Sequence, residues 1–387
     1  MLRTIGLMSG TSLDGVDAAW VETDGEAIGR IGPTATLPYD AALRRDLRRL
    51  LDLAPTLAQS SSLDDPFLAD CVRRLTDRHA EAVARIRELA REGFGEGADL
   101  VGFHGQTILH RPPPIRPGRN AAGPAEALPR QPGFTWQVGD AARLARLSGL
   151  PVAHDFRSAD VAAGGQGAPL VPVVHAALAA ALPKPLAVLN LGGVGNVTWI
   201  GGDGALIAFD TGPANGPIDD WVRRTAGLDF DRDGALALAG TPDAAVLGRL
   251  LAHPYLAAPP PKSLDRLDFG RALAEAGADR LGPEDGAATL ASFCALCVAA
   301  AVRHFPTPPR QWLVGGGGRR NPAIMRALAA ALEAPVQPAE AAGWNGDALE
   351  AQAFGVLAAR VRRGLPITFP GTTGVAEAMA GGRVVEV

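Results

Sequence analysis

Cysteine is scarce, with only Cys71, Cys294 and Cys297 in 387 residues. Three thiols cannot close an even disulfide framework, which fits a reducing compartment. Cys294 and Cys297 have redox or metal spacing, yet no second pair or histidine cluster completes a ligand set. They lie in an apolar run, 287–302, that reads as a buried helix face. Charge of one sign is also lacking: 37 basic against 41 acidic residues leave a net charge of −4 and a pI near 6.0. No nucleic acid partner is expected from that balance. No uninterrupted apolar stretch of about 18 residues stands out, so no membrane span is expected. No basic-then-apolar leader opens the chain, and the expected location is the cytoplasm. Gly-Lys-Ser and Gly-Lys-Thr follow no strand, which excludes a Walker P-loop. The first two glycine turns open strands and the third lacks G-x-G-x-x-G spacing, which argues against a Rossmann dinucleotide site.

What is present is ordinary globular composition, 47% hydrophobic and 20% charged, over a length that favours two or three domains. Residues 8–17 follow a short apolar run and precede the alternation Val16, Ala18, Trp20. That pattern is strand, glycine–hydroxyl turn, strand. Small residues there let backbone N–H groups approach an anion, although a polar hairpin turn has the same look. The pattern returns at Leu186–Leu191, with Gly192, Gly193, Gly195 and Asn196 in the turn and Val197 and Trp199 beyond it. A duplicated phosphate hairpin is more specific than either copy alone. A third glycine run, 315–318, follows a strand at 311–314, and Asn321-Pro322 then opens a helix. Asn suits the N-cap and Pro the first helical position, and a helix start beside bare glycine backbone suits a nucleoside. Helices are expected at 41–53, 68–89 and 139–147, and short strands at 99–103, 150–153 and 207–210. The Pro-, Gly- and Arg-rich stretch 111–133 is expected to be a surface insertion.

Two hairpins gripping phosphates from opposite lobes, with a later glycine–helix turn for the nucleoside, resemble the acetate and sugar kinase, Hsp70 and actin superfamily. More narrowly, the chain resembles the anhydro-N-acetylmuramic acid kinase family from end to end. The resemblance rests on Gly10-Thr11-Ser12-Leu13-Asp14-Gly15-Val16-Asp17, His104-Gly105-Gln106-Thr107, Gln137-Val138-Gly139-Asp140 and the long block from Asp155 to Pro172. Asn190-Leu191-Gly192-Gly193 with Asn196, Asp210-Thr211-Gly212-Pro213 with Asn215, Gly315-Gly316-Gly317 with Asn321-Pro322, and Gly346-Asp347 with Glu350 complete it. The chain departs from the family at Pro261-Lys262-Ser263-Leu264-Asp265-Arg266 and in its long insertion after His110.

The resemblance implies a two-lobed actin-like α/β fold, each lobe a mixed β-sheet with helices, with the active site in the interlobe cleft. The expected lobes are 1–133, with the segment from about 350 to 387 packing back onto it, and 134–349. The implied reaction is ATP-dependent phosphorylation of O6 of 1,6-anhydro-N-acetylmuramic acid with hydrolytic opening of the 1,6 linkage. The product is N-acetylmuramic acid 6-phosphate, a step of peptidoglycan recycling and amino-sugar catabolism. Family resemblance places the catalytic base on Asp160, with Arg157 orienting it or contacting the sugar. His104, Gly105, Gln106, Thr107 and Asp155 are the expected sugar contacts, placed just past a strand end where binding loops belong. Gly10, Thr11, Ser12, Leu13, Asp14, Gly15, Val16 and Asp17, with Gly192, Gly193 and Asn196, are assigned to ATP and its phosphates. Gly316, Gly317 and Asn321 are assigned to the nucleoside side. Mg²⁺ is the expected metal, with Asp210 as candidate ligand beside Asp14 and Asp17. Asp347 and Glu350 suit a helix cap as well as catalysis. A homodimer is the expected assembly. The runner-up is a kinase for another amino sugar, in which Asp160 would deprotonate a sugar hydroxyl; a nucleotide switch or a sugar-responsive repressor is disfavoured.

Overall fold

The computed structural model describes residues 1–10, 12–58, 65–95, 97–113, 133–264 and 269–387. Two compact units make up the chain, one of residues 1–180 with 348–387 and the other of residues 181–347. In the first unit β1 (Leu2–Ser9), β2 (Gly15–Thr23) and β3 (Ile28–Pro38) form an antiparallel meander. β4 (Leu100–Arg111) lies parallel to β1, β5 (Phe134–Val138) folds back on its far half, and β6 (Val152–His154) runs parallel beside it. The strand Arg383–Val385 closes that edge, giving seven strands.

Alternation along the strands assigns the two faces. Ile5, Leu7, Val101 and Phe103 join one core with Leu43, Leu47 and Leu50 of helix Ala41–Leu57 and Leu75, Val83 and Ile86 of helix Pro66–Ala90. Asp40 and Asp65 cap those helices by accepting from the Leu43 and Leu68 N–H groups. The opposite face carries glycines where β1 and β4 meet helix Leu349–Arg362. A Cβ at Gly6 would lie 1.8 Å from the Ala351 carbonyl oxygen, and one at Gly102 would lie 2.0 Å from that of Phe354.

In the second unit β7 (Leu186–Leu191), β8 (Val194–Ile200) and β9 (Leu206–Pro213) repeat the meander. β10 (Trp312–Gly315) and β11 (Val336–Pro338) extend it in parallel from β7. The strand orders β3-β2-β1-β4-β6 and β9-β8-β7-β10-β11 correspond position by position. Duplication of the glycine hairpin thus extends to the whole sheet. Helices Asn215–Ala226, Pro283–Ala301 and Pro322–Ala331 pack on this sheet through Trp221, Leu290, Val298, Ile324 and Leu328.

Two expectations change here. One segment, Pro283–His304, is long and apolar enough to cross a membrane, with a mean hydropathy of 1.7, although no such stretch was expected. Its small and polar residues do not interrupt the helix, and 67% of the window is buried against the second unit's core. Cys294 and Cys297 sit there as buried thiols that burial pushes upward. The contact boundary at 180, rather than 133, arises because β5, β6 and helix Ala141–Ser148 join the first sheet.

Gly102→Ala is expected to destabilise the protein by about 3 kcal/mol or more, since a methyl group cannot fit against helix backbone without moving it. A lowered urea midpoint checks this. His79 and His175 are buried, and burial pushes both down to about 4. Their folded values lie below the unfolded value of about 6.5, so the unfolded state takes up more protons between the two. Stability present above pH 6.5 should fall as pH is lowered from there toward 4. His79→Leu, read by urea midpoint against pH, should flatten that fall.

Candidate active site

In the first unit the turn after β1 is built from its backbone inward. Leu13 is fully buried at a φ of 55° and anchors the turn in the core, and its N–H donates to the Gly10 carbonyl at 3.2 Å. Ser12 Oγ donates to Asp14 Oδ1 at 2.8 Å, and Thr36 Oγ1 donates to Asp17 Oδ1 at 2.5 Å. Gly15 lies so close to β3 that a Cβ would come within 2.4 Å of the Leu37 oxygen, while Val16 points into the core. Thr11 lies outside the described residues.

His104, Gly105, Gln106 and Thr107 are not past a strand end; β4 continues through them to Arg111. The apolar run ends at Phe103, but the parallel pairing to β1 resumes after a register shift at Ser9–Gln106. At Gly105, φ 71°, the register shifts, and from Gln106 the strand pairs antiparallel with β5. Ser9 Oγ donates to the Gly105 oxygen at 3.1 Å, and Gln106 Nε2 donates to the Gly10 oxygen at 3.2 Å. The two motifs are bolted together. Among the described residues, the buried Gln106 Oε1 has no hydrogen-bond partner.

The His104 ring is fully engaged by protein. Nδ1 bonds the Gly105 carbonyl at 2.7 Å, which makes it the protonated nitrogen, and Nε2 accepts from Arg157 Nε at 3.1 Å and Nη2 at 3.0 Å. Burial, with Arg157 adding to it, holds this imidazole well below its ordinary range. Arg157 Nη1 donates to the Gly167 oxygen at 2.7 Å, and the Gly167 N–H donates to Asp160 Oδ1 at 2.6 Å. Arg157 therefore reaches Asp160 through Gly167. Asp160, on the short helix Ser158–Ala162, is 2% exposed, and its Oδ2 accepts from Thr373 Oγ1 at 2.6 Å. Gly165 is confined to glycine, because a Cβ would stand 2.3 Å from Asp160 Oδ1. Asp155, at φ 58°, pairs with Arg383 at 3.3 Å. A cavity of about 180 Å³ is lined in part by His104, Trp136, Gln137, His154, Asp155 and Ser158. Gln137 was seen in a motif but given no role, and Thr373 was missed because its partner is 213 residues away.

Glu350 is half-buried in the first turn of helix Leu349–Arg362, and neither it nor Asp347 caps that helix; the N-cap is Ala348. Burial pushes the Glu350 carboxyl above its usual range, with Arg157 opposing and Asp17 adding. Asp347 is instead an ion-pair partner in the second unit.

There, the β7–β8 turn is stapled to the start of helix Asn215–Ala226. The Gly192 oxygen accepts from the Asn215 N–H at 2.9 Å, and the Gly193 oxygen accepts from the Gly216 N–H at 3.1 Å. A Cβ at Gly193 would meet nothing, so this turn faces open space. Asn196 lies opposite Asn190 in the ladder, and among the described residues its buried Oδ1 has no hydrogen-bond partner. Gly316, φ 74°, leaves no room for a side chain beside Asn190 Oδ1, 2.4 Å away, and Gly317 is exposed. Arg319, 9% exposed, donates to Glu340 Oε1, Asp347 Oδ1 and the Gly316 oxygen at 2.7, 2.8 and 2.9 Å. Its hydrogen bonds hold both carboxylates below their usual range and clamp the glycine turn. Asn321 caps helix Pro322–Ala331, its Oδ1 accepting from the Ala323 and Ile324 N–H groups at 3.0 and 3.3 Å.

Asp210 Oδ2 accepts from the Leu264 N–H at 2.8 Å. Among the described residues no three His, Cys, Asp or Glu side chains stand together to hold a metal.

The family model for anhydro-N-acetylmuramic acid kinase matches residues 2–386. An anhydro-N-acetylmuramic acid kinase of Acidiphilium cryptum is 56% identical over 99% of this chain and 98% of its own length. One from Rhizorhabdus wittichii is 51% identical over 98% of each. Among solved structures, a ROK family glucokinase from Streptomyces griseus is 16% identical with a TM-score of 0.37, over 94% of this chain and 100% of its own.

Asn321→Ala should lose about 1 kcal/mol of stability, the usual worth of a side-chain N-cap. Asn321→Asp keeps the cap. A raised KM for ATP in that variant, at unchanged urea midpoint, is the expected sign of a nucleoside contact.

Proposed function

The chain belongs to the anhydro-N-acetylmuramic acid kinase family, and from that premise we propose how its residues divide the reaction. It phosphorylates O6 of 1,6-anhydro-N-acetylmuramic acid with ATP while water opens the 1,6 linkage. The observation that carries the reading is the whole-length family match together with a buried, doubly bonded Asp160 inside the Asp155–Pro172 block.

Water attacks C1 and gives its proton to Asp160, a suitable base when within hydrogen-bond reach. Both Asp160 oxygens take one donor each, which leaves a second lone pair on each for that water. The C1–O6 bond breaks, O6 bonds the γ-phosphorus, and ADP leaves. Positioning does most of this work, because phosphoryl transfer asks for alignment and charge neutralisation. Arg157 supplies a fixed positive charge beside the sugar's carboxylate, with neutral His104 holding its guanidinium. Gln106, Thr107 and Asp155 are the further sugar contacts. Gly10, Thr11, Ser12, Gly192, Gly193 and Asn196 serve the phosphates, and Gly316 and Gly317 the nucleoside. Mg²⁺, when bound, would supply charge neutralisation at the phosphates, and Asp210 would be the residue that holds it. A cytoplasmic homodimer completes the reading.

Turnover in ¹⁸O-water should place the label at C1 of the product; unlabelled product would mean a plain sugar kinase. Asp160→Asn should keep ATP binding and lower kcat about a hundredfold or more. A wild-type rate in that variant would remove Asp160 as the base.

A further inference from the structure

We propose that Thr373 is a positioning residue for Asp160, an inference that rests on the reading of Asp160 as the base. Thr372 and Thr373 are adjacent but used differently. The Thr372 hydroxyl stays local, accepting from the Phe369 N–H at 3.2 Å and donating to the Phe369 oxygen at 3.1 Å. Thr373 reaches across 213 residues of chain to Asp160 Oδ2 at 2.6 Å, the short distance of a hydroxyl bonded to a carboxylate.

Three features make this more than a buried polar contact. Thr373 has no exposed surface and Asp160 is 2% exposed, so bulk water does not stand in for the hydroxyl. The Thr373 carbonyl also accepts from the Gln166 N–H at 2.7 Å, so one residue grips both the carboxylate and the loop that follows it. That loop delivers the other donor, the Gly167 N–H on Oδ1 at 2.6 Å. With one donor on each oxygen, the carboxylate plane is fixed. Thr373 thus sets where the remaining lone pairs point, without touching the reacting atoms.

Thr373→Val removes the hydroxyl at nearly constant volume, and Thr373→Ser keeps it. Thr373→Val is expected to lower kcat about tenfold to a hundredfold, the scale of one lost hydrogen bond to a buried charge, with KM for ATP and for the sugar within about twofold of wild type. Thr373→Ser should restore most of kcat. Wild-type kcat in Thr373→Val, or equal kcat loss in both variants, would overturn the proposal. Circular dichroism checks folding. If Thr373→Val does not fold, Thr373→Cys, with its weak donor, takes its place and must lose more kcat than Thr373→Ser does; a wild-type rate there overturns the proposal equally. Asp160→Asn is assayed in parallel. Full activity in it would sink the base assignment, whereas an inactive Asp160→Asn beside a fully active Thr373→Val would sink only the role of Thr373.

Discussion

The close approach of helix Leu349–Arg362 to β1 and β4 is the constraint on which the first unit depends. Gly6 and Gly102 leave helix backbone where a Cβ would stand 1.8 and 2.0 Å from carbonyl oxygens, and Gly355 answers from the helix side against Thr4. Only a glycine-lined strand pair admits a helix this near. The helix is buried along nearly its whole length, and its Phe354 ring packs on both His104 and Phe156 at 4.6 and 5.2 Å. Through that one seat, residues from the end of the chain reach a site whose other parts come from its first half. Glu350 is brought within electrostatic range of Arg157 and Asp17, and Thr373 to Asp160.

The site is arranged around a neutral His104 and a carboxylate, Asp160, held by two donors. His104 is kept neutral by burial and by Arg157, so it accepts from the guanidinium instead of competing with it. Asp160 is given one donor on each oxygen, which fixes the plane of its carboxylate. In the second unit Arg319 plays the corresponding structural part, tying Glu340, Asp347 and the Gly316 carbonyl into one clamp behind the glycine turn. Both arrangements use arginine, whose planar fork can serve several acceptors at once.

Much of the fold was legible because its signals are local. The hairpins at β1–β2 and β7–β8, the helices after Asp40 and Asp65, and the Asn321 cap each depend on neighbours a few residues apart. Less was legible where a local pattern ends but pairing continues. β4 runs past Phe103 because it gains β5 as an antiparallel partner from Gln106, which still pairs with Ser9 of β1, and no alternation in the sequence marks that change. Likewise Pro283–His304 has membrane-like hydropathy because it is a core helix, and only its burial in the second unit's core distinguishes the two.

By itself the sequence determined the duplicated glycine hairpins, the motif series that carries the family, and the segment holding Asp160, since all of these are contiguous. Tertiary structure decided what each side chain holds. It turned His104 toward Arg157, routed Arg157 to Asp160 through Gly167, took Asp347 from a helix cap to Arg319, and delivered Thr373 to the carboxylate. The physical reason is reach: a hydrogen bond spans about 3 Å in space but any distance along the chain, and its partner becomes known only once the sheet and its glycine-seated helix have closed.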